Sequence, residues 1–259
     1  MPDVLQTIWQ ALDVSWWQLL AAIAAVTVGG IISGLTGFGF GLVSVPVLLL
    51  LFPPASVVVL AKGLGLSSGV PILIADRKLV RVRLILTMIV PAIAGLFLGV
   101  AILRRADPAA IKLIAGAAVV FFSVLISRGW VLPGIRSKLA PLFFGFASGA
   151  LGTSTGMPGP PAVMYLTHRN LTPKVFRASI VCYFFVVDII GVTLVALTGK
   201  VGLRELWVGL VLLPFALAGR HIGQHAIGLV DQEAFRLITL RLLIATGIAA
   251  MATAILSLR

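Results

Sequence analysis

Two cations stand inside apolar stretches: Lys62 in Val59-Leu60-Ala61-Lys62-Gly63-Leu64-Gly65, and Arg177 in Val175-Phe176-Arg177-Ala178-Ser179. They are 115 positions apart. A cation in the hydrocarbon region is costly and marks a functional site by default. Two at corresponding positions could flank one anion, Lys62 as a point charge and Arg177 as a bidentate fork. The plainer alternative is that each side chain snorkels to the interface. Asp188, in Phe184-Phe185-Val186-Val187-Asp188-Ile189-Ile190, is the carboxylate set deepest in an apolar run. It could carry a coupling proton, or neutralise Arg177 or Arg241. Arg241 is expected to face the protein interior.

Glycine-rich breaks interrupt two apolar runs at that same spacing. The first is Ser33-Gly34-Leu35-Thr36-Gly37-Phe38-Gly39-Phe40-Gly41, followed by Pro46. The second is Ser148-Gly149-Ala150-Leu151-Gly152-Thr153-Ser154-Thr155-Gly156, followed by Pro161. Ser33, Gly34, Gly37, Gly41 and Pro46 recur 115 positions later as Ser148, Gly149, Gly152, Gly156 and Pro161. Paired Gly/Pro interruptions in two halves of a membrane protein point to a transporter's binding site. Broken backbone at membrane depth is tolerated only where protein or a wet cavity satisfies it, and half-helix N-termini offer amides to an anion. The candidate substrate-binding set is therefore Lys62 and Arg177 with residues from both breaks. The first break supplies Gly37, Phe38, Gly39, Phe40, Gly41 and Ser44; the second supplies Gly152, Thr153, Ser154, Thr155 and Gly156. Ser44 and the second-break hydroxyls could donate to oxyanion oxygens, and Phe38 and Phe40 could seal one side. Close helix packing through small residues is the plainer reading of the glycines.

Little else in the sequence suggests chemistry. His221 and His225 would share a helix face, but Ile222-Gly223-Gln224 between them lacks the glutamate of a zinc-protease motif. There is no nucleophile–base order, phosphate loop or carboxylate cluster, so neither an enzyme, a metal site nor a cofactor is expected. Cys182 is the single cysteine, which leaves no intramolecular disulfide.

The elements holding these residues must be membrane helices. Of 259 residues, 60% are hydrophobic and 11% charged, whereas a soluble domain has about 25% charged. The net charge of +12 reads as membrane-orienting loop charge rather than nucleic-acid binding. Residues 1–13 contain no Lys or Arg; without a basic n-region, the first apolar run is expected to be retained. The runs at residues 16–52 and 139–166 exceed the roughly 20 residues of a simple span, so each reads as two pieces joined at its glycines. Pro91, Gly95 and Gly99 resemble Pro214, Gly219 and Gly223. The expected fold is all-α integral membrane, with two homologous repeats at 1–137 and 138–259. Each repeat has a broken first segment plus three spans. Kinked breaks give 8 spans; hairpin breaks give 10 segments and inverted repeats. Hairpins place about 12 cations on one side and about 6 on the other, against about 10 and 8 for kinks. The positive-inside rule thus favours hairpins, with both termini outside the cytoplasm.

The stretch Gly34-Leu35-Thr36-Gly37-Phe38-Gly39-Phe40-Gly41, with Ser44-Val45-Pro46 and a leucine run, resembles the first-half signature of the TauE/SafE sulfite-exporter family. Ser148-Gly149-Ala150-Leu151-Gly152, continuing into Gly156-Met157-Pro158-Gly159-Pro160-Pro161, resembles its second-half counterpart, as does Phe176-Arg177-Ala178-Ser179. The resemblance implies a multi-pass permease of a prokaryotic inner membrane, usually an exporter of sulfite, an organosulfonate or another small organic anion. The expected function is secondary transport by alternating access, the anion held between the broken segments and protons coupled through Asp188. The alternatives are a permease for another small organic anion and a non-transporting structural subunit of the membrane.

Overall fold

The structure, a computed structural model, describes residues 14–128, 137–226 and 232–257. Ten helices follow one another among the described residues: α1 (Trp16–Thr36), α2 (Phe40–Leu51), α3 (Pro54–Asp76), α4 (Val82–Arg105), α5 (Pro108–Ser127), α6 (Ala140–Ser154), α7 (Gly159–Thr167), α8 (Pro173–Ala196), α9 (Leu203–His225) and α10 (Gln232–Ser257). A 3-10 turn, Arg77–Leu79, joins α3 to α4. Six of these helices, α1, α3, α4, α5, α8 and α9, include stretches long and apolar enough to cross a bilayer.

Both glycine breaks are hairpins. In one continuous helix Ala25 and Ser44 would stand about 28 Å apart. Instead the Ser44 hydroxyl donates to the Ala25 carbonyl at 3.3 Å, and Gly29 packs on Phe40. In the second break the Ser148 hydroxyl donates to the Pro158 carbonyl at 2.6 Å, and the Phe144 and Tyr165 ring centroids are 6.0 Å apart. The turns need left-handed backbone, and Gly37, Gly39 and Gly156 supply it with φ of +83°, +98° and +85°. Pro160 and Pro161 sit at the start of α7, where a missing N–H costs nothing. The return arms α2 and α7 have 12 and 9 residues, well short of the roughly 20 needed to cross.

Corresponding helices of the two halves run antiparallel. Along the α3–α8 contact Lys62 meets Gly191 while Gly69 meets Val181; along α5–α10, Gly116 meets Met251 while Val120 meets Gly247. The halves also exchange partners. α1 packs parallel on α9, with Gly30 on Ala216 and Gly34 on Arg220; α6 packs parallel on α4, with Gly95 on Phe146 and Gly99 on Ala150. These are one interface used twice, and small residues let its backbones approach closely.

Three charge placements differ from the sequence expectation. Arg177 and Arg220, both among the cations summed in the comparison of the two sides, lie within α8 and α9, and Arg220 is only 4% exposed. Arg241 is exposed rather than interior, because a run apolar on every side does not reveal its inward face. Residues 1–13, Arg136 and Arg259 fall outside the described residues, as does the side chain of Arg236.

The glycine interfaces set a stability test. A Cβ on Gly149 would run into the Ala92 carbonyl, and one on its mate Gly34 into the Arg220 carbonyl, whereas nothing lies within 4 Å of a Cβ on Gly63. Overpacking of this kind costs about 1–3 kcal/mol. Gly149→Val and Gly34→Val should each lower the apparent Tm in detergent, and Gly63→Ala should leave it unchanged or raised. Equal Tm values across the set would contradict the close packing.

Candidate functional site

The two hairpin tips meet beside the crossing of α3 and α8. A Cβ on Gly41, at the start of α2, would stand 3.0 Å from the Gly156 carbonyl oxygen, and Gly156 itself packs on Val58 and Ala61 of α3. Next to this junction the Lys62 ammonium donates to Asp188 Oδ1 at 2.7 Å, with side chains 1% and 9% exposed. The contact depends on glycine: a Cβ on Gly191 would stand 2.9 Å from both Lys62 Cε and Nζ. A Cβ on Gly152 would lie 3.4 Å from the same Nζ. Lys62 therefore reaches from the first half into a notch formed by α8 and the second hairpin.

A cavity of about 70 Å³ opens alongside the pair, which is room for a small oxyanion or a few waters. Its walls are both hairpin tips (residues 37–42 and 156–159), the Lys62–Asp188 pair, Phe184 and Phe185 of α8, and Arg220 of α9. The formal charge of this lining is one net positive. The start of α2 adds fixed dipoles. Val43 N–H to the Gly39 carbonyl bridges the cap to the helix, so the amides of Phe40, Gly41 and Leu42 have no partner four residues back. All three residues line the cavity. The equivalent end of α7 carries Pro160 and Pro161, which have no N–H to offer.

Of the candidate residues, Lys62, Asp188, Gly37, Phe38, Gly39, Phe40, Gly41 and Gly156 line this cavity. Arg177, Ser44, Gly152, Thr153, Ser154 and Thr155 lie outside its lining. The hydroxyls are engaged with backbone: Ser44 donates to Ala25, Thr153 to Leu96, Ser154 to Ala150 and Thr155 to Leu151. Each hydroxyl has one proton, and in this structure a carbonyl receives it. Arg177 packs its stem on Gly37, just as Lys62 packs on Gly152. The two cations thus occupy equivalent places, each against the break of the other half, without sharing one cavity.

Asp188 finds Lys62 as its ion-pair partner, not Arg177 or Arg241. The antiparallel crossing of α3 and α8 brings together residues unrelated by the repeat offset. Sequence reasoning missed Arg220 and Gly191. For Arg220 the available signal was its place between Gly219 and Gly223, on the face that packs against α1. His221 and His225 stack with centroids 4.2 Å apart, and His225 Nδ1 lies 2.9 Å from the His221 carbonyl.

The family model described as Sulfite exporter TauE/SafE matches residues 21–250. The chain belongs to the TauE/SafE family. The match takes in both hairpins, the α3–α8 crossing and Arg220, so the cavity lies in the part of the chain that defines TauE/SafE membership. The protein is therefore a multi-pass membrane protein of a transporter family. No curated protein and no solved structure matches it.

The ion pair makes its own prediction. Removing one member of a buried pair strands the other charge and costs about 3–5 kcal/mol. Lys62→Ala should therefore destabilise the purified protein more than the double variant Lys62→Ala/Asp188→Asn does. Additive losses in thermal unfolding would show that the two charges are not coupled.

Proposed function

We propose that this TauE/SafE protein is a secondary transporter that exports a small sulfur oxyanion or sulfonate across the inner membrane. The observation that carries the reading is a buried lysine–aspartate pair in a small cavity where two hairpin tips meet, beside the buried Arg220. An entering anion is drawn by Arg220 and by the amides at the start of α2, and competes with Asp188 for Lys62. Once displaced, Asp188 cannot remain charged and unpaired at low cost, so it takes up a proton. The lining then carries two net positive charges from Lys62 and Arg220. Anion and proton leave together, so the outward gradient of the anion drives export and a pH gradient modulates it.

Alternating access follows from the pseudo-symmetry, with repeats 1–137 and 138–259 moving against one another. The equivalent contacts Lys62–Gly152 and Arg177–Gly37 lie between the halves, where such motion would act. In this scheme Arg177 positions the first hairpin rather than holding the anion.

Flux of sulfite in proteoliposomes, with sulfate and carboxylate controls, tests the proposal. Normalised to folded protein, Lys62→Ala and Arg220→Ala should each cut sulfite flux at least about ten-fold, the scale of one lost charge-assisted contact. Arg177→Ala should cut it less, and Asp188→Asn should abolish its dependence on a pH gradient. Parental flux in Lys62→Ala together with an unchanged pH response in Asp188→Asn would refute both the site and the coupling.

A further inference from the structure

A second basic cavity lies away from the hairpins, where the 3-10 turn ends and α4 begins. Its volume is about 430 Å³, and its lining includes Arg81, Arg83 and Arg169, framed by Val82, Leu84 and Leu171. Among the described residues no carboxylate lines it. Among the described residues no acid forms an ion pair with any of the three arginines. The amide of Arg81 donates to the Ser179 hydroxyl at 3.1 Å, which ties the turn to α8 while the Arg81 side chain remains exposed. Arg169 is held from below: its guanidinium lies 4.4 Å over the Tyr165 ring, and Nη2 donates to the Tyr165 hydroxyl. Its Nε is buried without a hydrogen-bond partner. α4 begins at Val82 with no side-chain cap, so its first amides sit at the same mouth.

Three guanidiniums with no ion-pair partner among the described residues, one of them braced by an aromatic ring, suit an oxyanion with several acceptor oxygens. The surroundings select among oxyanions. From the cavity, Val82, Leu86 and Val90 run down α4 at four-residue spacing, 57%, 52% and 70% exposed, forming one apolar stripe on a membrane helix. A free phosphate has nothing to place on that stripe, whereas a phospholipid does. Arg77 and Lys78 are exposed on the same connection, so this end of the bundle is rich in cations, as expected of a cytoplasmic face.

We propose that the cavity formed by Arg81, Arg83 and Arg169 binds the phosphate of an anionic phospholipid, whose acyl chain lies along Val82, Leu86 and Val90. Basic pockets between membrane helices on the cytoplasmic side have the chemistry for such headgroups, and each nearby cation strengthens the attraction about five-fold.

Native mass spectrometry of the purified full chain in detergent tests this, with phosphatidylglycerol, phosphatidylcholine and inorganic phosphate as separate additions. Phosphatidylglycerol should bind in preference to phosphatidylcholine. The triple variant Arg81→Gln/Arg83→Gln/Arg169→Gln should weaken that binding roughly 100-fold. The triple lysine variant, which keeps the charges, should retain most of it, and this guards against loss by misfolding. Inorganic phosphate should displace the lipid only weakly. An unchanged preference for phosphatidylglycerol in the glutamine variant would overturn the proposal. So would inorganic phosphate competing as well as the lipid, which would mark a free-anion site.

Discussion

A lysine and an aspartate 2.7 Å apart, each nearly sealed from solvent, hold the centre of this molecule together. Neither charge could sit alone at that depth, since an unpaired ion there costs several kcal/mol. Lys62 comes from the first half and Asp188 from the second, so each half supplies the counter-charge the other needs. The helices that carry them must cross with Gly191 facing the lysine stem. The second hairpin must end close enough for Gly152 to border the ammonium. A small cavity beside the pair then follows from geometry, because the glycine tips have no side chains to fill it.

The rest of the architecture fixes this crossing in place. α1 locks onto α9 and α6 onto α4 through the same glycine-to-carbonyl contacts, so the two halves are interleaved rather than merely adjacent. Hairpins that stop partway leave broken backbone inside the membrane, which bilayer physics allows only against protein or water. At the first tip the residues whose amides are left over at the start of α2, Phe40, Gly41 and Leu42, line the cavity. The second tip spends its first turn on prolines, so the pseudo-symmetry of the backbone is not a symmetry of chemistry. Arg220 lies on the cavity wall, while Arg177 braces the glycine turn from outside it.

Much of the fold was legible in the sequence because it rests on glycine and proline, whose roles are set by backbone geometry. Gly37, Gly39 and Gly156 marked the turns. Whether each break turned back rested only on a modest imbalance of loop charge, until the contacts between Ala25 and Ser44 and between Phe144 and Tyr165 showed both to be hairpins. The site was legible in part. Lys62 and Asp188 stood out as charges in apolar runs, but their pairing depends on an antiparallel crossing that no local pattern encodes. Ser44, Thr153, Ser154 and Thr155 suggested anion donors, yet a hydroxyl in a helix commonly gives its proton to a nearby carbonyl. Arg220 was hidden because it lies near the end of a helix, where an arginine reads as loop charge.

An oxyanion that displaces Asp188 from Lys62 would sit between the hairpin tips. Crystals grown with selenite, a heavier analogue of sulfite, would locate the bound anion by the anomalous signal of selenium. A selenium peak is expected between Lys62 Nζ, Arg220 and the start of α2, with the Lys62–Asp188 contact opened beyond its 2.7 Å. A selenium peak elsewhere, with that ion pair still closed, would contradict it.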